Sequence, residues 1–231
     1  MDLKKFYDKK WRKKGDELDH SKLDLVVEKV SPNGKVLDVG GHIGILAKKI
    51  QDRGADVTLT DISRVALERA KKRGIENTVQ VDLDEKPLPF EDNSFDTVIS
   101  CSSIEHIFYP QGMIKESSRV LKPGGKFILL VPNIGHWRFR LWLLMGRFPY
   151  IVDTPTDEEH IRFMTVYEAK KMCSIEGLKP EALDGSAGLW VKGLYPVFFR
   201  LKYIRFFYTI LARHYPSLFS RSFILVCRKQ K

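Results

Sequence analysis

The sequence predicts a doubly wound α/β fold: a mostly parallel seven-stranded sheet with helices on both faces and an antiparallel last strand. Three observations predict it. Short apolar runs of strand character alternate with segments whose apolar residues recur every three or four positions. Glycines follow near the ends of those helical segments. The first strand-like run ends in a carboxylate just ahead of a glycine turn, which is where ligand crevices of open α/β sheets lie.

In chain order, strands are expected at KVLDV (35–39), DVTLT (56–60), TVQV (78–81), DTVIS (96–100) and KFILLV (126–131). Helices are expected between them over 43–53, 63–72 and 111–121, with Gly54, Gly74 and Gly124 as stop signals. Strand, helix, strand units of this length imply right-handed crossovers and parallel pairing. Beyond the fifth strand the spacing predicts an extra helix over 137–145 and an inserted loop over 149–160, a lid or a substrate wall. Thr165 and Glu168 form the pattern of a capping box for a helix through Cys173. A sixth strand is expected over 178–183. The last, SFILVCRK (222–229), lacks a helical crossover before it and is therefore read as antiparallel.

With 231 residues, 43% hydrophobic and 29% charged, the chain reads as one domain over 1–231 carrying an insertion at about 185–220. No apolar run reaches transmembrane length and the amino terminus is charged throughout, so a cytoplasmic location is expected. Cys101, Cys173 and Cys227 are too scattered for a disulfide framework or a C-x-x-C metal signature. The net charge of +10 is not a general nucleic-acid footprint. All 29 acidic residues lie before Gly185, while nine Lys or Arg follow it, so attraction for anionic surfaces belongs to the last 47 residues.

VLDVGGHIG (36–44) puts Asp38 two residues before Gly40 and Gly41, with a helix starting behind Gly44. A dinucleotide fingerprint would need glycine at position 39, and Val39 breaks it, which disfavours hydride transfer. Taken alone, the turn is also compatible with a tight ligand-free connection. Its spacing resembles the D-x-G-x-G-x-G loop of class I S-adenosylmethionine-dependent methyltransferases, matched by Asp38, Gly40 and Gly44, with His42 in place of the middle glycine. The resemblance implies a Rossmann-like methyltransferase fold, S-adenosyl-L-methionine as cofactor and S-adenosyl-L-homocysteine as product. Asp61, 17 residues after Gly44, then falls where an acidic side chain accepts hydrogen bonds from both ribose hydroxyls, with Ile62 beside it; a helix cap is the alternative. The stretch 81–96 resembles the family's third-strand region, which implies that Asp82 holds the adenine amino group and the Leu83 amide meets the ring. Asp84 lies close enough to share the first role. RVLKPGGKFILLVPN (119–133) is similar to the family's turn into its fifth strand, and the resemblance implies that Cys101, directly after the fourth strand, borders the cofactor.

A sulfonium methyl group is already activated, so the protein must mainly align an acceptor and exclude water; no metal is required. CSSIEHI (101–107) resembles the E-H pair of many small-molecule O-, N- and C-methyltransferases. It implies that Glu105 and His106 face the methyl group, with His106 as base or as a structural hydrogen-bonding group. Residues 102–105 read SSIE, not the N-P-P-Y type tetrapeptide of nucleic-acid base methyltransferases, so a nucleic-acid acceptor is disfavoured. His136 and His160 both follow the fifth strand and are candidates for lining the acceptor pocket, but a surface or helix-cap histidine is the favoured expectation for each. Residues 132–178 resemble MetW-type proteins and methyltransferases found with polysaccharide genes. That implies a small-molecule or lipid- or saccharide-linked acceptor, or alternatively an accessory protein that binds cofactor with little transferase activity.

The oligomeric state is not encoded in any pattern. On a helix, Lys202, Arg205, Thr209 and Arg213 gather within about 80° while Ile204, Phe207, Tyr208 and Leu211 cover the other side, and Arg200 falls among the apolar residues. Two readings follow: an aromatic face packed over the acceptor pocket, or weak peripheral contact with an anionic membrane.

Overall fold

The computed structural model describes residues 2–13, 15, 20–187 and 202–231. Its frame is one seven-stranded sheet in the order β3-β2-β1-β4-β5-β7-β6. The strands are β1 (Lys35–Val39), β2 (Asp56–Asp61), β3 (Thr78–Gln80), β4 (Phe95–Cys101), β5 (Leu121–Pro132), β6 (Leu178–Ala187) and β7 (Ser220–Lys229). Neighbours from β3 to β5 pair in parallel. Strand β7 runs antiparallel to both β5 and β6. The order reverses at β1, with β2 on one side and β4 on the other, so the carboxyl ends of these three strands bound the crevice where a ligand fits.

Alternation along the central strands builds two cores. Val36, Ile99, Ile128, Leu130, Ile224 and Val226 face one side; Leu37, Val98, Phe127, Leu129, Phe223 and Leu225 face the other. The first layer is closed by α2 (His20–Val27), α3 (Ile45–Gln51) and α4 (Arg64–Lys72), the second by α5 (Pro110–Val120) and α7 (Val166–Ile175). Helix α3 starts two residues later than its apolar spacing suggests, because Gly44 turns left-handed at φ 78° and leaves Ile43 in the loop. Ser63 caps α4 by accepting from the Ala66 N–H, and Thr165 caps α7 by accepting from the Glu168 N–H.

Two segments depart from expectation. Helix α1 (Leu3–Lys13) was not signalled by overall hydrophobicity, yet Leu3, Tyr7 and Trp11 share one face, and Trp11 is buried. It is fastened to α4: Asp8 accepts from the Ser63 hydroxyl and the Val65 N–H, and Arg69 donates to the Trp11 carbonyl. The second departure is α8 (Lys202–His214), after α6 (Trp137–Leu144). Tyr208 and Ala212 face inward, whereas Phe207 and Leu211 of the expected packing face are exposed. The rotation is set by polar and steric contacts. The Tyr208 hydroxyl meets His136 Nε2 at 2.8 Å and accepts from Trp137 Nε1 at 3.3 Å. Ala212 lies against Gly185, where a Cβ would fall 2.3 Å from its carbonyl oxygen, so only glycine admits the approach. Arg200 and the rest of 188–201 lie outside the described residues, as do the side chains of Lys202, Ile204 and Arg205.

Candidate active site

The glycine turn after β1 is shaped by close contacts. A Cβ on Gly41 would fall 2.6 Å from Leu59 and 2.8 Å from Asp38 Oδ2, and the Gly41 N–H is bonded to the Thr60 carbonyl at 2.9 Å. His42 adopts φ 54°, the left-handed conformation usual for the glycine it replaces, and its ring packs 5.1 Å from that of Trp11. Asp61, at the end of β2, holds this turn from below. Its Oδ2 accepts from the His42 N–H at 3.0 Å and its Oδ1 from the Ser63 N–H at 2.8 Å.

Electrostatics single out the same carboxylates. Asp38 is fully buried, neither of its oxygens has a hydrogen-bond partner among the described residues, and burial together with the nearby Asp61 charge pushes its pKa up to about 7. Burial raises Asp61 to about 6, against the lowering effect of the Ser63 and His42 N–H groups. The Cys101 thiol is raised to about 12 by burial and stays protonated. A groove with a cavity of about 80 Å³ runs past Gly40, His42, Asp61, Ile62, Asp82 and Leu83, under Tyr7 and Trp11 of α1. A smaller cavity of about 20 Å³ continues past Asp38, Gly41 and Cys101. Gly44 stands behind, against Ala70. Asp82 and Asp84 both line the groove, and Asp84 also accepts from the Phe108 and Tyr109 N–H groups at 3.0 and 2.9 Å. Burial raises the Asp82 pKa.

Past this groove, residues Ile104–His106 form a single 3-10 turn at the end of β4. His106 borders both the groove and a larger cavity of about 740 Å³, which Glu105 and His160 also line. Burial, and next the His160 ring, lower the His106 pKa to about 4, so its imidazole is neutral near pH 7. Nδ1 of His106 donates to the Glu159 carbonyl at 3.0 Å, since a carbonyl can only accept; Nε2 therefore carries the lone pair. Glu105 is buried, neither of its oxygens has a partner among the described residues, and burial raises it to about 7.

His160 corrects the expectation of a surface or cap histidine: it lies in the cavity, its ring 4.8 Å from that of His106. The backbone explains the placement, because the Ile161 and Arg162 N–H groups both donate to the Glu105 carbonyl at 3.0 and 3.1 Å, and so lash the 149–164 segment to the turn. His136 is a cap, as expected. It is buried at the start of α6 and accepts from the Arg138 N–H, away from the cavity. Sequence reasoning missed Tyr7, Lys10 and Trp11 as walls; the Leu3, Tyr7, Trp11 spacing was the available signal.

The family sequence model for a methyltransferase domain matches residues 37–129, which is the stretch that builds the groove and the Glu105–His106 turn. Residues 37–129 are therefore similar to the methyltransferase domain of S-adenosylmethionine-dependent methyltransferases. The chain is 30% identical over 165 residues to a ubiquinone biosynthesis O-methyltransferase of Idiomarina loihiensis, covering 65% of this chain and 64% of the relative. It is 40% identical over 107 residues to the ubiquinone/menaquinone biosynthesis C-methyltransferase UbiE of Brucella canis, covering 43% and 40%. The chain thus spans under two thirds of the length of these two relatives. A SAM-dependent methyltransferase from Archaeoglobus fulgidus shares the fold with a TM-score of 0.65 at 16% identity, over 99% of this chain and 100% of that one. The family cofactor fits the residues present. Asp38 offers an unpartnered carboxylate, Gly41 leaves room where a Cβ would collide, and Asp61 and Asp82 stand along the groove.

Proposed function

We propose that the chain transfers a methyl group from S-adenosylmethionine to a hydroxyl-bearing small molecule held in the 740 Å³ cavity. One observation carries this reading: His106 stands at the junction of the cofactor groove and the cavity with a bare Nε2. Bound S-adenosylmethionine supplies an activated methyl group on a sulfonium sulfur. Asp61 accepts from the ribose hydroxyls, Asp82 and the Leu83 amide meet the adenine, and Asp38 answers the ammonium of the methionine portion. Nε2 of His106 takes the proton that the acceptor hydroxyl gives up. Tyr7 and Trp11 of α1 exclude water from the junction. The cavity wall mixes Lys10, Lys22 and Arg221 with Asp157 and Glu158, which suits a polar acceptor. A cofactor-binding accessory role would not need a cavity of this size beside the base. Incubation with methyl-labelled cofactor and a panel of phenolic, saccharide and lipid-linked alcohols tests the proposal. Label in no acceptor, with cofactor bound normally, would favour the accessory role.

A lipid-linked acceptor has a specific observation in its favour. On α8, Tyr203, Phe206, Phe207, Ile210 and Leu211 are exposed, within about 140° on the side away from Tyr208 and Ala212. Leu144, Met145 and Tyr150, after α6, are exposed as well. No acidic residue follows Asp184 in the sequence, so this apolar surface has only basic company on its own segment and suits the headgroup region of an anionic membrane. Among the described residues no helix is long and apolar enough to cross a membrane.

A further inference from the structure

We infer that Glu105, His106 and His160 form a binding site for one divalent transition-metal ion on the wall of the acceptor cavity. One nitrogen from each imidazole and one oxygen of Glu105 lie within 4.8 Å of one another. Ligand atoms about 2.0–2.1 Å from a common tetrahedral ion are about 3.4 Å apart pairwise. The most widely separated of the three atoms therefore needs to close by at most about 1.4 Å, which side-chain rotation supplies.

Three features point to an ion and not to a chance cluster. The first is the Glu105 carboxylate, buried with both oxygens unpartnered among the described residues, an arrangement that costs free energy unless something satisfies it. The second is the state of the rings. His106 Nδ1 is bonded to the Glu159 carbonyl at 3.0 Å and His160 Nδ1 to the Pro155 carbonyl at 3.1 Å. A carbonyl accepts only, so both Nδ1 atoms carry hydrogen and both Nε2 atoms present lone pairs. This is the outer arrangement that fixes metal-binding imidazoles. The third is access: all three residues line one open cavity, which leaves coordination positions for water or an acceptor oxygen. Two imidazoles and one carboxylate favour zinc, cobalt, iron or nickel over magnesium or calcium. Of the two lysines whose charges reach Glu105, Lys22 and Lys10, the second is already engaged by Glu159, and neither is hydrogen-bonded to the carboxylate. The second histidine comes from the 149–164 segment, so the site exists only when that segment is docked on the turn.

The inference rests on reading the cavity as the acceptor pocket: Nε2 of His106 is the base in the ion-free protein and a ligand when the ion is bound. The full-length protein, stripped of metal by chelation, is titrated with Co²⁺ alone and followed by the visible d–d absorption of the ion. Expected is one saturable site per chain, weakened at least tenfold in His160→Ala and in Glu105→Gln, each folded by circular dichroism. Absence of a saturable d–d signal in the wild type overturns the inference, as does wild-type affinity in His160→Ala. Should His160→Ala not fold, the imidazole proton resonances of the wild type decide: paramagnetic shifts of both His106 and His160 on adding Co²⁺ support the site, and unshifted signals refute it. Failure of the two readings is distinguishable. Full methyl transfer by the chelated protein with no Co²⁺ site removes the ion and leaves the methyltransferase. Co²⁺ binding without transfer to any acceptor does the reverse.

Discussion

Asp61→Asn probes the cofactor groove at its most connected residue. In the native protein the two carboxylate oxygens accept from the His42 and Ser63 N–H groups at 3.0 and 2.8 Å. Asparagine keeps one acceptor and turns the other into a donor that faces a backbone N–H. One buried donor then loses its partner, at a cost of about 1–3 kcal/mol in folding stability. Toward the ligand, losing charge-assisted bonds to the ribose hydroxyls costs about 1.5–3 kcal/mol, or about 10- to 150-fold in Kd. The pH dependence has a definite sign. Binding requires the charged form of a carboxyl that burial raises to about 6, so affinity is retained above that value and falls below it. Asp38, raised to about 7, adds an upper step. Calorimetry with S-adenosylmethionine from about pH 8 to about pH 5 should show both steps in the wild type and only the upper one in the variant. Equal affinity of variant and wild type at about pH 7.5 would refute the ribose role, and a pH-independent wild type would refute the need for charge.

His106→Ala is expected to lower turnover about 100-fold or more while cofactor affinity stays nearly intact, measured by steady-state kinetics beside calorimetry. Equal losses in both would make His106 structural. Asp38→Asn tests the buried charge. A folded-state pKa of about 7 against 3.8 unfolded means that the stability Asp38 contributes is present below about pH 4 and lost as pH rises through about 7. Without cofactor, the wild type should lose about 4 kcal/mol relative to the variant over that range in urea unfolding; parallel pH profiles would contradict this. For the exposed α8 surface, weak, salt-sensitive sedimentation with phosphatidylglycerol vesicles is expected, and none with phosphatidylcholine vesicles. Indifference to anionic vesicles even at low salt would end the membrane reading.

The sequence by itself determined the frame, because its signals are local. Period-two apolar runs fix strands whichever neighbours they find, and the glycine turn with Asp38 marks the ligand edge before any tertiary contact exists. The antiparallel sense of β7 was readable from the missing crossover. Tertiary structure decided what depends on contacts between distant segments. His160 entered the cavity because two backbone N–H groups, at Ile161 and Arg162, bind the Glu105 carbonyl across more than 50 residues of chain. Helix α1 became the roof of the site through Asp8, Trp11 and their partners on α4 and the glycine turn. The rotation of α8 followed the Tyr208 hydroxyl and the close approach at Gly185, which a helical wheel of apolar residues does not contain. Periodicity records which side of a segment prefers burial; only the assembled chain decides which donors, acceptors and gaps are there to meet it.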